Sequence, residues 1–191
     1  KAIRRQRQMC IRDRVCGAQM ATGVYLAFVD SDDYLSFDFY RSLVTRAEET
    51  DADIVIGKTV WDNNGDKYIY NYHDSCFNFD ILEGDEIQKS YFGQEAQCYS
   101  WHTVWNKIYR KTLWDTCAEE FRSVQDHIIM TEDIYFSSIL FFNARKLARV
   151  ENDAYFYCVN ENASTNSNGI KLSRFLSLIH ISEPTRPLYI S

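Results

Sequence analysis

The sequence predicts an α/β fold, a central sheet with helices on its faces. Short apolar runs rich in β-branched and aromatic residues alternate along the chain with stretches of helical period. Both prolines, Pro184 and Pro187, lie at the C-terminal end, so none interrupts the elements between residues 15 and 176. With 191 residues, 46% of them hydrophobic and 15% aromatic, the chain can bury one sizeable core and is not a disordered polymer.

Taken in order, Tyr25 to Val29 is an almost wholly apolar run that predicts a buried strand, and it stops at Asp30, Asp32 and Asp33. A helix is expected over Phe37 to Thr50, with Ser36 as N-cap, Asp38 in the first turn and Phe37, Tyr40, Leu43, Val44 and Ala47 on one face. Ile54-Val-Ile56 marks a strand over Asp53 to Trp61. Asn63-Asn-Gly-Asp66 then turns the chain into a hairpin partner over Lys67 to Tyr72. Glu83 to Phe92 predicts a helix closing at Gly93, Val104 to Tyr109 a strand, and Thr131 to Asn143 a further helix. Leu147 to Val150 and Ala154 to Val159 read as two closing strands before a polar loop over 160–169.

The net charge of −6 is unevenly spread. Lys1, Arg4, Arg5, Arg7, Arg12 and Arg14 crowd the first residues against Asp13 alone. The rest of the chain is acidic and carries no basic stripe, so no nucleic-acid partner is expected. No apolar run approaches the ~20 residues of a membrane span, and no transmembrane segment is expected in this chain. The basic N-terminal residues are not followed by the apolar core of a secretory signal. Six cysteines without paired spacing suit free thiols in a reducing compartment. The expected location is cytoplasmic, in solution or at the cytoplasmic face of the membrane. Cys98 and His102 stand four apart, a metal-ligand spacing on a helix, but no second pair joins them and a core role is expected.

Three carboxylates at the tip of a buried strand repel one another, and packing gives no reason for them. A hard divalent cation relieves that repulsion, because Mg²⁺ and Mn²⁺ take oxygen ligands, one or two carboxylates together with phosphate oxygens. One Asp would be an ordinary turn or cap residue. Glu132 and Asp133, behind Thr131 as N-cap, fall in a first helical turn whose dipole favours ionised carboxylates, so capping alone accounts for them at this level. Strand alternation puts Trp105, Lys107 and Tyr109 on one face and Asn106 and Ile108 on the other.

Ala21-Thr-Gly-Val-Tyr-Leu-Ala-Phe-Val-Asp-Ser-Asp-Asp-Tyr-Leu35 resembles the A-x-G-x-Y-(apolar)-x-F-(apolar)-D-S-D-D segment of family 2 glycosyltransferases. Trp105-Asn-Lys-Ile-Tyr-Arg110 resembles the family's W-N-K-L-(F/Y)-R strand, and Thr131-Glu-Asp-Ile-Tyr-Phe136 its (G/T)-E-D motif. The three stand in the family's order, and the likeness runs from Gly17 to Ser164. It implies the A-type glycosyltransferase fold, with a mixed central sheet and flanking helices, in incomplete form. It also implies sugar transfer from a nucleotide-diphospho-sugar donor to a saccharide or lipid-linked acceptor. By the same resemblance the cofactor is Mn²⁺ or Mg²⁺, with Asp32 as its direct ligand and Asp30 beside it on the sugar-nucleotide. Lys107 and Trp105 are then donor-binding, Asp133 is the general base, and Glu132 orients it. Asp33 is left to brace the loop or cap the next helix.

Residues 1–14 and 177–191 resemble translated adapter sequence and are set apart from the body over 15–176. Where the family carries an A-R-N-x-G run this chain shows Arg14-Val-Cys-Gly17, the pattern broken where the adapter-like tail stops. Its opening strand and its P-x-Y-N and D-D-G-S loops, which bind base and ribose, have no counterpart. The chain therefore reads as the middle and C-terminal part of a catalytic domain, inactive alone. An aspartate-dependent phosphotransferase would need Thr where Tyr34 stands. A calcium loop would need Gly at its sixth position and Glu at its twelfth. The remaining rival is a carbohydrate-binding relative without turnover.

Overall fold

The computed structural model describes residues 14–69, 78–93, 99–123 and 132–159. Residues 14–20 are helical (α1). There follow β1 (Tyr25–Ala27), β2 (Tyr34–Leu35), α2 (Phe39–Thr50), β3 (Ile54–Asn63), β4 (Asp66–Tyr68), β5 (Ile81–Glu83) and α3 (Asp85–Gly93). The chain continues as α4 (Tyr99–His102), β6 (Lys107–Arg110), α5 (Lys111–Thr116), α6 (Ala118–Ser123), α7 (Glu132–Asn143) and β7 (Lys146–Cys158). The strands form one seven-stranded mixed sheet in the order β1-β6-β3-β7-β2, with β4 on β3 and β5 on β7. β6 runs antiparallel to both β1 and β3, and β7 runs parallel to β3. β1, β3 and β7 therefore point the same way, and the D-S-D-D segment leaves the sheet at their C-terminal edge.

Side-chain alternation along β3 divides the core. Ile54 and Ile56 join Leu26, Tyr109 and Leu147 in a cluster with Trp101, Trp114, Phe121, Phe136 and Phe141. Val55 turns the other way, into a cluster with Phe39, Leu43 and Ala47 of α2 and with Trp105, Ile108 and Tyr155. Gly57 is required between these layers, because a Cβ there would collide with the Phe39 ring.

Several boundaries differ from expectation for visible reasons. α2 begins at Phe39, and Phe37 is 95% exposed and no part of its buried stripe. Asp38 occupies the cap position without a side-chain cap bond, while Ser36 Oγ donates to Asp153 Oδ1 at 3.1 Å. The hairpin turn is where the sequence puts it, with Asn64 and Gly65 at φ 54° and 101° and Asp62 Oδ1 accepting the Gly65 N–H at 2.7 Å. Its partner strand is described only to Tyr68; Tyr70 and Tyr72 lie outside the described residues. The two closing strands are one, β7, whose register on β3 shifts between Ile56 and Lys58. The exposed Glu151 and Asn152 mark that irregularity and made one strand look like two. β5 went unforeseen, since three residues carry too little pattern.

The strand expected at Val104 starts instead at Lys107, behind a turn that carries Trp105 and Asn106. Lys107 is fully buried. Its Nζ donates to Ser100 O and Thr103 O, each at 2.6 Å, and to Asn106 Oδ1 at 2.5 Å. Burial pushes Lys107 well below the ordinary lysine range, and the charge of Asp133 opposes the fall. Three short contacts use all three hydrogens of an ammonium, the form this geometry fits. Lys107→Met keeps the stem but orphans buried acceptors, each worth ~1–3 kcal/mol. Urea unfolding should therefore show a loss of about 3 kcal/mol, and a loss under ~0.5 kcal/mol would remove Lys107 from this role.

Candidate active site

The D-x-D segment is not extended. β1 ends at Ala27, and Asp30 to Asp33 form a tight turn in which the Asp33 N–H donates to Asp30 O at 3.1 Å. Within this turn the three carboxylates meet three different surroundings. Asp32 lies exposed at the tip. Asp33 points inward, its Oδ1 accepting the Cys158 N–H at 2.9 Å. Asp30 is half-buried and faces Arg14, whose Nη2 stands 3.5 Å from its Oδ1.

Arg14 connects the first motif to the third. Its Nη1 makes a short hydrogen bond to Asp133 Oδ1 while its Nη2 pairs with Asp30. One guanidinium thus holds the turn after β1 against the first turn of α7, two segments far apart in sequence. Burial pushes the Asp30 carboxyl above its usual value; Arg14 opposes that rise, and the charges of Asp133 and Asp32 add to it. Among the described residues no group of three His, Cys, Asp or Glu side chains is disposed to hold a metal by itself.

Asp133 is held from behind as well. Ser137 Oγ donates to Asp133 O at 2.6 Å, lies 3.0 Å from Tyr91 Oη and 3.1 Å from His102 O. Tyr91 Oη in turn stands 3.1 Å from His102 Nδ1. His102 thus takes a packing role, its pKa lowered by burial and then by Lys107. Cys98 and Thr131 lie outside the described residues, and of Glu132 only the backbone, the first residue of α7, is described.

Trp105 and Lys107 line no opening. Trp105 is 2% exposed and stacks on Tyr155 with centroids 4.5 Å apart, on the same side as Ile108 and opposite Tyr109. Lys107 has its donors committed to protein oxygens. Two open cavities, of about 470 and 450 Å³, lie against α2 and beside Arg149, away from the carboxylates. The carboxylates have the stronger chemical claim, since opposed charges converge there.

Sequence reasoning missed Arg14 and Tyr155. Arg14 was set apart with residues 1–14, at the point where the family's pattern is broken, yet it lies in α1 and contacts Asp30 and Asp133. Tyr155, one of thirteen tyrosines, had no signal.

The comparisons with known proteins give the family and the fold. The model for "Glycosyl transferase family 2" matches residues 1–135, and the chain belongs to that family. It is 27% identical over 152 residues to the uncharacterized glycosyltransferase EpsJ of Bacillus subtilis, covering 80% of this chain and 42% of that protein. It is 25% identical over 178 residues to the uncharacterized glycosyltransferase YibD of Escherichia coli, covering 86% of this chain and 50% of that one. The chain thus spans half or less of the length of these curated relatives. Among solved structures, S. aureus TarS in complex with UDP-GlcNAc superposes with a TM-score of 0.59 at 18% identity, covering 88% of this chain and 44% of that chain. The fold is the A-type glycosyltransferase fold, present here in part. No helix among the described residues is long and apolar enough to cross a membrane.

The Arg14 bridge makes a titration testable. Arg14 holds Asp30 down, so Arg14→Gln should move the Asp30 carboxyl further above 3.8 in a ¹³C NMR titration. A raised folded-state value means that the associated stability is present below pH 3.8 and lost as pH rises through that value. Arg14→Gln should steepen this loss. An Asp30 titration that stays put would show that the guanidinium is not its partner in solution.

Proposed function

We propose that the chain is the metal-binding and base-bearing part of a glycosyltransferase that moves a sugar from a nucleotide-diphospho-sugar donor to a saccharide or lipid-linked acceptor. The observation that carries this reading is the bridge from Asp30 through Arg14 to Asp133. Transfer needs stabilisation of the leaving diphosphate and removal of the acceptor's hydroxyl proton, and the bridge joins one group for each task.

Asp32, exposed and acidic, would be the direct ligand of Mn²⁺ or Mg²⁺, with Asp30 beside it. The donor set fits, since these ions bind through one or two carboxylates and complete their shell with phosphate oxygens. When bound, the ion would supply positive charge to the leaving diphosphate.

The chain's own residues do the rest. Asp133 accepts the acceptor's proton as its oxygen bonds to the anomeric carbon and the bond to the diphosphate oxygen breaks. Asp133 is hydrogen-bonded to Arg14. An arriving diphosphate competes for that guanidinium and would leave Asp133 free at the positive end of α7, with Glu132 beside it. Lys107 and Trp105 belong to the supporting frame in this reading.

UDP binding to the chain, with and without Mn²⁺, tests the donor half. Binding should need the ion and vanish in Asp32→Ala. Ion-independent binding would sink the metal reading, and no binding in either condition would favour an inert fragment. For the complete protein, Asp133→Asn should leave donor affinity intact while transfer falls ~10²–10⁴-fold. Unchanged transfer would reduce Asp133 to a helix cap. Sugar binding without any transfer by the wild type would favour the carbohydrate-binding relative.

A further inference from the structure

Tyr155 sits towards the C-terminal end of β7 with no exposed surface. Its ring stacks on Trp105 at 4.5 Å and 27° and meets Phe39 edge-on at 6.2 Å. Only the hydroxyl leaves this apolar packing. It accepts the Asp30 N–H at 3.1 Å and donates to Asp33 Oδ2 at 2.7 Å. The other Asp33 oxygen accepts the Cys158 N–H, so both oxygens of that carboxylate are committed to β7. Burial, opposed by the Asp30 N–H and reinforced by the charge of Asp33, pushes the phenol far up and keeps it a donor.

From these contacts we propose that Tyr155 is a positioning residue for the donor site. Its hydroxyl fastens both ends of the D-S-D-D turn to β7 and so sets where Asp30 and Asp32 present their carboxylates. Trp105 acts at one remove, by holding the Tyr155 ring. The consequence for catalysis rests on the reading of Asp30 and Asp32 as the groups that meet the ion and the diphosphate. The fastening itself rests on hydrogen bonds alone. It also separates the roles of the carboxylates: Asp33 is spent on the frame, and Asp30 and Asp32 are left for chemistry.

Tyr155→Phe keeps the ring and deletes the hydroxyl. The test uses the whole chain, with amide hydrogen exchange followed by NMR and Mn²⁺ titrated in the presence of UDP. The Asp30 N–H should exchange about tenfold faster while the Val55 and Ala148 amides of the central ladder keep their rates. Mn²⁺ should bind about tenfold more weakly, the worth of one hydrogen bond. Asp33→Asn removes the charge from the opposite partner and should move both readouts the same way; it carries the test alone should Tyr155→Phe fail to fold. Unchanged Asp30 exchange would overturn the fastening. Faster exchange with unchanged Mn²⁺ affinity would overturn the positioning role. Mn²⁺ uptake that is absent in the wild type, or survives Asp32→Ala, would sink the metal reading and the positioning role with it, while the amide measurement still decides the fastening.

Discussion

The buried ammonium of Lys107 closes a turn that backs the acidic half of the site. Its three hydrogens gather Ser100 O, Thr103 O and Asn106 Oδ1, and this sets the path of the chain from α4 into β6. Asn106 is then oriented toward β3, where its Nδ2 donates to Gly57 O at 3.3 Å and to Thr59 Oγ1 at 3.1 Å. Those contacts satisfy the strand where the β3–β7 register shifts. Trp105, projecting from the same turn, stacks on Tyr155, and Tyr155 reaches the acidic turn. A side chain with no solvent contact is thus connected to the carboxylates through two neighbours. Burying a cation is costly unless its donors are filled, and here they are.

Electrostatics elsewhere follows the same rule. Asp53, nearly inaccessible, is penalised by burial. The hydrogen bonds and charge of Arg145, together with Arg110, outweigh that penalty and hold its carboxyl below the usual value. Its N–H also donates to Lys146 O and its carbonyl accepts the Arg110 N–H, so one residue ties β3 to β6 and β7 at the edge opposite the site. The acidic turn differs. There Asp30 pairs with the Arg14 guanidinium, Asp33 is held by hydrogen bonds to β7, and Asp32 lies exposed.

How much of this was legible depended on how local each cause is. α2, the Asn64-Gly65 hairpin, β3 and α7 were readable because period and turn chemistry act within a few residues. β5 and the unity of β7 were not, since both are set by pairing with distant strands. The positions of Asp30, Asp32 and Asp133 were evident from the motifs, but their directions were not. The surroundings of Asp30 and Asp32 follow from the Asp33 to Asp30 hydrogen bond, which makes the segment a turn. Lys107 looked like a surface cation beside a ligand because lysine is seldom buried, and only three-dimensional neighbours show its oxygens. The role of Tyr155 depends on one hydroxyl meeting a turn more than a hundred residues away, which no local pattern encodes.

That turn also shows why the acidic motif needs its surroundings. An extended D-S-D-D would set Asp30 and Asp32 on one face and Asp33 on the other, with nothing to separate their tasks. The turn instead spends Asp33 on β7, sets Asp30 against Arg14 and leaves Asp32 outward. Burial raises both Asp30 and Asp33, and each feels the charge of Asp32, so the arrangement holds unfavourable charge at its centre. A segment chosen for stability alone would have lost one of these carboxylates. Keeping all three requires a frame strong enough to hold them: the Tyr155 hydroxyl, the Cys158 N–H and the Arg14 guanidinium. Local chemistry that works against the fold, held in place by contacts from β7 and α1, is the pattern expected where a protein binds something of opposite charge.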